Sequence, residues 1–281
     1  MNEGEEIRFI DLFSGIGGFR LGLDQSGGFR CVWSCDNNKY ANQIYTNQYG
    51  ESNHHPGDIR GVHTEDIPDF DLLCAGFPCQ SFSNIGRRKG FKDPRGTLFY
   101  EIWRITESKR STLLLLENVK GLLSHDKGRT FTIILQWLEE LGYWNEWQVL
   151  NSKYFGVPQH RERVFIIGHH GEKGGREIFP IRETNELALK GSPGQTEYIS
   201  TAIDANYFKG PDKHGQRTMI KVGDRIRRLT PVECERLQGF PDGWTEGLSE
   251  TQRYKCLGNA VTTNMITFLG KRIMEALEIR R

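Results

Sequence analysis

IRFIDLFSGIGGFRLGL, residues 7–23, decides the fold. Ile7 to Phe13 is an apolar run with the length and the β-branched and aromatic content of a buried strand. Ser14 to Gly18 then supplies glycines, which accept tight turns and let a ligand approach the backbone closely. Phe19, Leu21 and Leu23 open a helical stretch. The glycines do not form a clean G-x-G-x-x-G, because the third is displaced. That spacing argues against a pyrophosphate cradle and for a nucleoside without one. Taken alone, the turn also admits a purely structural reading.

The segments that follow give the turn its context. Phe29 to Cys35 reads as a second strand ending at Asp36, an acid able to accept from two ribose hydroxyls. Together the two strands make the nucleoside-binding half of a Rossmann-like fold. Residues 37–49 look helical, Gly57-Asp58-Ile59 marks a strand end, and strands are expected over 70–77, 112–116, 147–150 and 164–168. Ile133, Ile134, Trp137, Leu138 and Leu141 space a helix over 130–141. Strands alternating with helices predict a mostly parallel sheet covered on both faces, with ligands bound beyond the carboxyl ends of the strands. After His169 the pattern turns loop-rich, and helical character returns over 231–238 and 264–277. The expected division is therefore a catalytic and cofactor-binding domain over 1–168, completed by 255–281, with a small domain over 169–254.

The chain has 281 residues, enough for one sizeable α/β core with a small appendage. Its formal net charge is +1, so any nucleic-acid binding must come from local patches. MNEGEEIRF has no basic head and apolar core, so no secretory signal is expected, and no apolar run is long enough to span a bilayer. Cys31, Cys35, Cys74, Cys79, Cys234 and Cys256 form no C-x-x-C pair and read as reduced thiols in a cytoplasmic chain. The pairs His54-His55 and His169-His170 point to opposite sides and do not suit joint metal ligation.

Several clusters carry chemistry, and all fall at strand ends. Asp58 can accept from an adenine amino group while Ile59 packs on the ring; singly, it is also an ordinary turn aspartate. Pro78-Cys79-Gln80 puts a thiol before backbone donors and the cations Arg87, Arg88, Lys89, Lys92 and Arg95, which favour the thiolate. A small cysteine packed before a solvated loop is the plainer alternative. Glu117-Asn118-Val119 ends an apolar strand; partial desolvation is expected to raise the Glu117 pKa and to let it donate to a ring nitrogen. Helix capping is the alternative there. In Gln159-His160-Arg161-Glu162-Arg163, an extended backbone would put Gln159, Arg161 and Arg163 on one side, two guanidinium groups among them. From Lys209 to Arg228 the basic residues far outnumber the acids Asp212 and Asp224, a local positive surface hidden by the net charge.

Taken together, the chain resembles the DNA (cytosine-5)-methyltransferases. The matching stretches are DLFSGIGGFRLGL, GDI, AGFPCQSFS, LLLENV, YFGVPQHRERVFIIG, RRLTPVECERLQGFPDGW and LGNAV, in the family's order over residues 7–168 and 225–262. The resemblance implies a Rossmann-like S-adenosylmethionine-dependent methyltransferase fold with a small loop-rich target-recognition domain. It implies an S-adenosylmethionine site, with S-adenosylhomocysteine as product, lined by Phe13, Ser14, Gly15, Gly17 and Gly18. The same site takes Asp36, Asn37, Asp58, Ile59, Pro78 and Leu98, and from the far end of the chain Asn259 and Val261. Asp36 stands where the family usually has glutamate, and Asn37 where many members place an aromatic ring.

By the same resemblance Cys79 is the nucleophile, Glu117 activates the cytosine, and Arg161 and Arg163 support the target base and Glu117. DNA contacts are expected from Gln80, Ser81, Ser83, Arg87, Arg88, Lys89 and Arg95 after the nucleophile, and from Gln159, Arg227 and Arg228. The final helix should fold back beside the first strand. The expected partner is duplex DNA, with functional pairing to a restriction endonuclease, in a monomeric protein of a prokaryotic cell or phage. A tRNA methyltransferase of the same architecture is the first rival; such enzymes carry Cys-Phe-Thr where Cys256 is followed here by Leu257 and Gly258. An inactive DNA-binding regulator is the second.

Overall fold

The computed structural model describes residues 6–78, 98–171, 177–182, 199–211, 217–222 and 225–278. Its centre is a seven-stranded sheet. The strands are β1 (Ile7–Leu12), β2 (Phe29–Asp36), β3 (His54–Pro56), β4 (Leu72–Gly76), β5 (Leu113–Val119), β6 (Tyr143–Asn151) and, after the two-residue β7 (Gln159–His160), β8 (Glu162–His170). Their order across the sheet is β3-β2-β1-β4-β5-β8-β6. The first five run parallel, while β8 is antiparallel to both β5 and β6. The chain leaves β1 in one direction to build β2 and β3, then returns to the other side of β1 to build β4. That reversal opens a crevice at the carboxyl ends of β1 and β4, the place where open α/β sheets bind ligands.

The alternation of side chains along each strand supplies two cores. Ile10, Leu12, Leu73, Ala75, Leu114 and Leu116 face α3 (Leu98–Lys109) and α4 (Arg129–Glu140), meeting Phe99, Ile102, Ile134 and Leu138. Ile7, Phe9, Leu72, Cys74, Leu113 and Leu115 face the other way, toward α1 (Gly18–Ser26) and α7 (Thr263–Glu278). The final helix thus folds back beside the first strand, as expected. A third cluster joins Ile16 and α2 (Lys39–Tyr49) to Ile203, Tyr207, α5 (Pro231–Leu237) and α6 (Glu250–Asn259). Residues from 203 onward in the loop-rich stretch, with α5 and α6, therefore share a core with α2 and the turn after β1.

Local chemistry sets the ends of these elements. Asn38 caps α2, its side chain accepting from the Tyr40 and Ala41 amides. Thr230 and Glu233 form a capping box at α5, with Pro231 following the cap. A two-stranded ribbon, β10 (Met219–Val222) with β11 (Arg225–Arg228), precedes it; β9 (Ser200–Thr201) pairs with β7.

The observed elements differ from expectation in several places, among them β6, which begins at Tyr143 and not at 147. The strand expected over 112–116 runs on to Val119, so Glu117 lies within β5 and pairs with Gly76 on one side and Phe165 on the other. Helix α3 has no counterpart in the sequence reading, because Tyr100, Ile102, Trp103, Ile105 and Thr106 are poor helix formers that burial overrides. Helix α6 is likewise obscured by Gly258 and Asn259 at its end.

Candidate active site

The turn after β1 is built around left-handed backbone. Phe13 has φ 56°, Gly15 55° and Gly17 84°. For Phe13 this conformation is strained, and such strain persists only where the surroundings hold it. Here the Ser14 amide donates to Cys35 O at 3.1 Å and the Gly17 amide to Ser14 O at 2.9 Å. The glycines also answer to distant neighbours. A Cβ on Gly17 would lie 2.6 Å from the Tyr49 ring, and one on Gly18 would lie 2.8 Å from Val261 Cγ1. Val261 is thereby brought against the turn.

Asp36 ties the turn to the second strand. One carboxylate oxygen accepts from the Gly15 amide at 2.8 Å and the other from the Asn38 amide at 2.7 Å. Burial pushes the Asp36 carboxyl up, and the Asn38 and Gly15 amides pull it the other way. A carboxylate has further lone pairs to offer ribose hydroxyls. Ser14 Oγ is buried without a hydrogen-bond partner among the described residues, an orphan that a ligand in the crevice would satisfy. The residues present fit a nucleoside cofactor. Asp58 is arranged differently from expectation. It caps the short turn Ile59–Gly61 by accepting the Arg60 amide at 3.0 Å, and the Arg60 guanidinium forks onto both its oxygens. That pairing holds its pKa down. Ile59 is buried beneath it, while Asn37, Pro78 and Asn259 are exposed and Leu98 begins α3 half-buried.

The opposite wall of the crevice is the β4–β5 edge. Glu117 sits across from Gly76, where a Cβ would make only ordinary contact, 3.6 Å from Glu117 Oε2. Arg163 Nε meets Glu117 Oε1 at 2.9 Å, with side chains only 14% and 12% exposed. Asn118, which the sequence reading passed over, donates from Nδ2 to Phe77 O at 2.8 Å and accepts the Val119 amide on Oδ1 at 2.9 Å. It bolts the end of β5 to the turn leading into Pro78; its only signal in sequence was its place beside Glu117. Cys79, Gln80, Ser81, Ser83, Arg87, Arg88, Lys89 and Arg95 lie outside the described residues.

The model of the family C-5 cytosine-specific DNA methylase matches residues 7–186 and 176–275, nearly the whole chain. The chain belongs to this family of cytosine-5 DNA methyltransferases. It is 38% identical to the Type II methyltransferase M.SsoII of Shigella sonnei, over 99% of this chain and 82% of that one. It is 33% identical to M.HhaI of Haemophilus parahaemolyticus, over 98% and 96%. The S. pombe Dnmt2 methyltransferase shares the fold, with TM-score 0.78 over 97% of this chain and 99% of that one at 20% identity.

The structure corrects one expected DNA contact of the methylase, Gln159, and gives protein partners to Arg161, Arg227 and Arg228. Gln159 does not face DNA: it is 0% exposed, because its amide is spent inside, donating to Leu237 O at 2.8 Å and accepting the Ile203 amide at 2.9 Å. Arg161 lies in the interior, with Arg163 and Glu117 near enough to act on its charge. It is 2% exposed and donates to the main-chain carbonyls of Ile203, Gly258 and Ala260 at 2.8, 3.2 and 2.8 Å. Burial disfavours its charge, as does Arg163, while Glu117 and Asp204 favour it. Finally, Arg227 and Arg228 hold protein partners in this structure, Arg227 from an exposed side chain and Arg228 from a half-buried one. Arg227 forks onto Glu233 at 2.7 and 2.8 Å. Arg228 donates to Phe208 O and lies 5.2 Å over the Tyr254 ring. Nothing in local sequence distinguishes a guanidinium that meets phosphate from one that meets a carbonyl far along the chain.

Proposed function

We propose that this methyltransferase modifies carbon 5 of a cytosine flipped out of a specific duplex DNA site, using S-adenosylmethionine and a covalent bond to Cys79. The observation that carries the reading is the Glu117–Arg163 ion pair at 2.9 Å, across from Gly76 at the end of the strand that leads to Pro78. Residues 1–168 with 255–281 serve catalysis and cofactor binding, and 169–254 serve target recognition. Asp36 would hold the ribose, Asp58 the adenine amine, and Ile59 the ring. Phe13, Ser14, Gly15, Gly17, Gly18, Leu98, Asn259 and Val261 complete that site. When bound, S-adenosylmethionine supplies the methyl group that carbon 5 accepts.

The chain's own residues do the rest. The Cys79 thiolate adds to carbon 6, and the displaced ring electrons make carbon 5 nucleophilic. Glu117 offsets the developing charge by a proton held toward the adjacent ring nitrogen, and Arg163 fixes the carboxyl that does so. Once carbon 5 is methylated, loss of its proton returns an electron pair to the ring. The carbon–sulfur bond breaks and the thiolate is restored. The target must leave the stack first, since neither atom is reachable inside a duplex. The protein acts as a monomer in the cytoplasm of a prokaryotic cell or of a phage host. It is paired with an endonuclease, as the Type II character of its relatives suggests. Among the described residues no helix is long and apolar enough to cross a membrane.

The test is expression in a host lacking cytosine methylation, with 5-methylcytosine mapped across its DNA. The expected result is methylation at one short sequence, none with Cys79→Ser, and turnover lowered on the order of 100-fold or more with Glu117→Gln. Duplex DNA bearing 5-fluorocytosine at the site should form a denaturant-resistant adduct with the wild type. Methylation of RNA alone, or near-normal turnover by Cys79→Ser, overturns the reading.

A further inference from the structure

Ile203 is held at both of its backbone groups. Its N–H donates to Gln159 Oε1 at 2.9 Å, and its C=O accepts from Arg161 Nη1 at 2.8 Å. The same two side chains reach into the rest of the recognition half. Gln159 Nε2 donates to Leu237 O, and Arg161 Nη2 donates to Gly258 O and Ala260 O. Both side chains are buried. Two residues beyond Arg161, Arg163 meets Glu117. We propose that Gln159 and Arg161 are positioning residues: a two-point bolt that fixes the recognition segment, through the backbone of Ile203, to the strand presenting Arg163 to Glu117. The proposal rests on the DNA methyltransferase reading above and names what sets its sequence discrimination.

The form of the bolt suits that task. Because Gln159 and Arg161 grip main-chain atoms, the anchoring does not depend on the side chains of 204–206. Asp204 and Asn206 stand exposed just past the buried Ile203, and Tyr207 returns to the core, its hydroxyl accepting the Leu229 amide at 3.0 Å. The Asp204 carboxylate accepts the Asn206 amide at 3.0 Å and lies 3.5 Å from Arg217, and its remaining lone pairs and the Asn206 side-chain amide are able to read base edges from a fixed backbone. Gly258 completes the seat, since any Cβ there would fall inside the Asp204–Ala205 peptide. A wrong base pair that displaces 204–206 is thereby felt along Arg161 toward Arg163. A guanidinium is suited to this role: its fork of donors satisfies three carbonyls at once, which an ammonium on a flexible stem does not.

The experiment compares wild type, Gln159→Leu, Arg161→Lys and Arg163→Lys in methyl transfer. The substrates are a duplex with the mapped site and duplexes with one base pair of it changed. The 5-fluorocytosine adduct counts active sites. Wild type should discriminate by roughly 5- to 150-fold per changed pair. Gln159→Leu and Arg161→Lys should cut that ratio about 10-fold, on a scale set by the same mismatch cost. Arg163→Lys should slow transfer on all duplexes and keep the ratio. The ratio does not depend on how much protein is active, so a merely structural role leaves it unmoved. Gln159→Leu buries no new charge and serves if Arg161→Lys fails to fold. An unchanged ratio in every folded variant of Gln159 and Arg161 overturns the bolt. A wild type that methylates no duplex overturns the function reading instead.

Discussion

The two halves of the crevice are fastened by opposite means. On the cofactor side, α1 lies against α7 through apolar close contact: Gly22 faces Ile266, and Leu23 packs with Met265, Leu269 and Ile273. On the recognition side the fastenings are buried polar bonds. Gln159, Arg161 and Gln238 reach main-chain carbonyls, and Glu235 accepts from the Gly243 and Thr245 amides at 2.8 Å and from Arg253 at 2.9 Å. Apolar packing is non-directional and yields by small shifts. Buried hydrogen bonds hold one geometry, and breaking them leaves costly orphans. On the proposed function, a cofactor pocket tolerates a sliding helix better than a reader of base edges tolerates a moving backbone.

That contrast is sharpest at two glycines. Gly258→Ala puts a methyl group into the Asp204–Ala205 backbone, which Arg161 and Gln159 prevent from moving. It should cost about 3 kcal/mol or more, the upper reach of overpacking, read from denaturant unfolding. Gly22→Ala brings a Cβ 2.5 Å from Ile266 Cβ and 2.8 Å from Thr263 O. There the helices separate slightly, and the gain in helix propensity offsets part of the strain. The cost should be about 1–2 kcal/mol, below that of Gly258→Ala. Equal losses at the two sites would break the comparison.

The same difference explains what was legible in the sequence. Strand ends, the glycine turn, Asp36 and Glu117 were readable because their neighbours in space are neighbours in the repeating strand–helix pattern. The burial of Gln159 and Arg161 was not, since it depends on carbonyls of Leu237, Ile203, Gly258 and Ala260 that arrive from elsewhere in the chain. In QHRER the alternation puts Gln159, Arg161 and Arg163 on one side, but only the distant carbonyls show that the first two are spent inside the protein. Gly17 and Gly18 were read as turn formers. Their tighter constraints, Tyr49 and Val261, also come from afar. Helix α3 escaped because its residues are chosen for burial rather than for helix propensity.

One residue on the apolar side departs from the rule. Asp11, next to the end of β1, is 0% exposed, and neither carboxylate oxygen makes a hydrogen bond of good geometry. Burial, followed by the nearby Asp36, raises its pKa well above the usual carboxylate range, and Arg20 offsets only part of this. The folded chain therefore binds the Asp11 proton more tightly than the unfolded chain, whose aspartates titrate near 3.9 or so. The stability this confers is fully present below the unfolded pKa, falls as pH rises toward the folded value, and stays low above it. Asp11→Asn keeps the shape and removes the titration. Its unfolding free energy should match the wild type in acid, exceed it modestly at neutral pH, and vary less with pH between. If the wild type instead gains stability from pH 4 to 7 relative to Asp11→Asn, then Asp11 is ionised in the fold and has a partner. The cofactor half would then hold a polar bolt of its own, and the contrast with the recognition half would narrow to one of number.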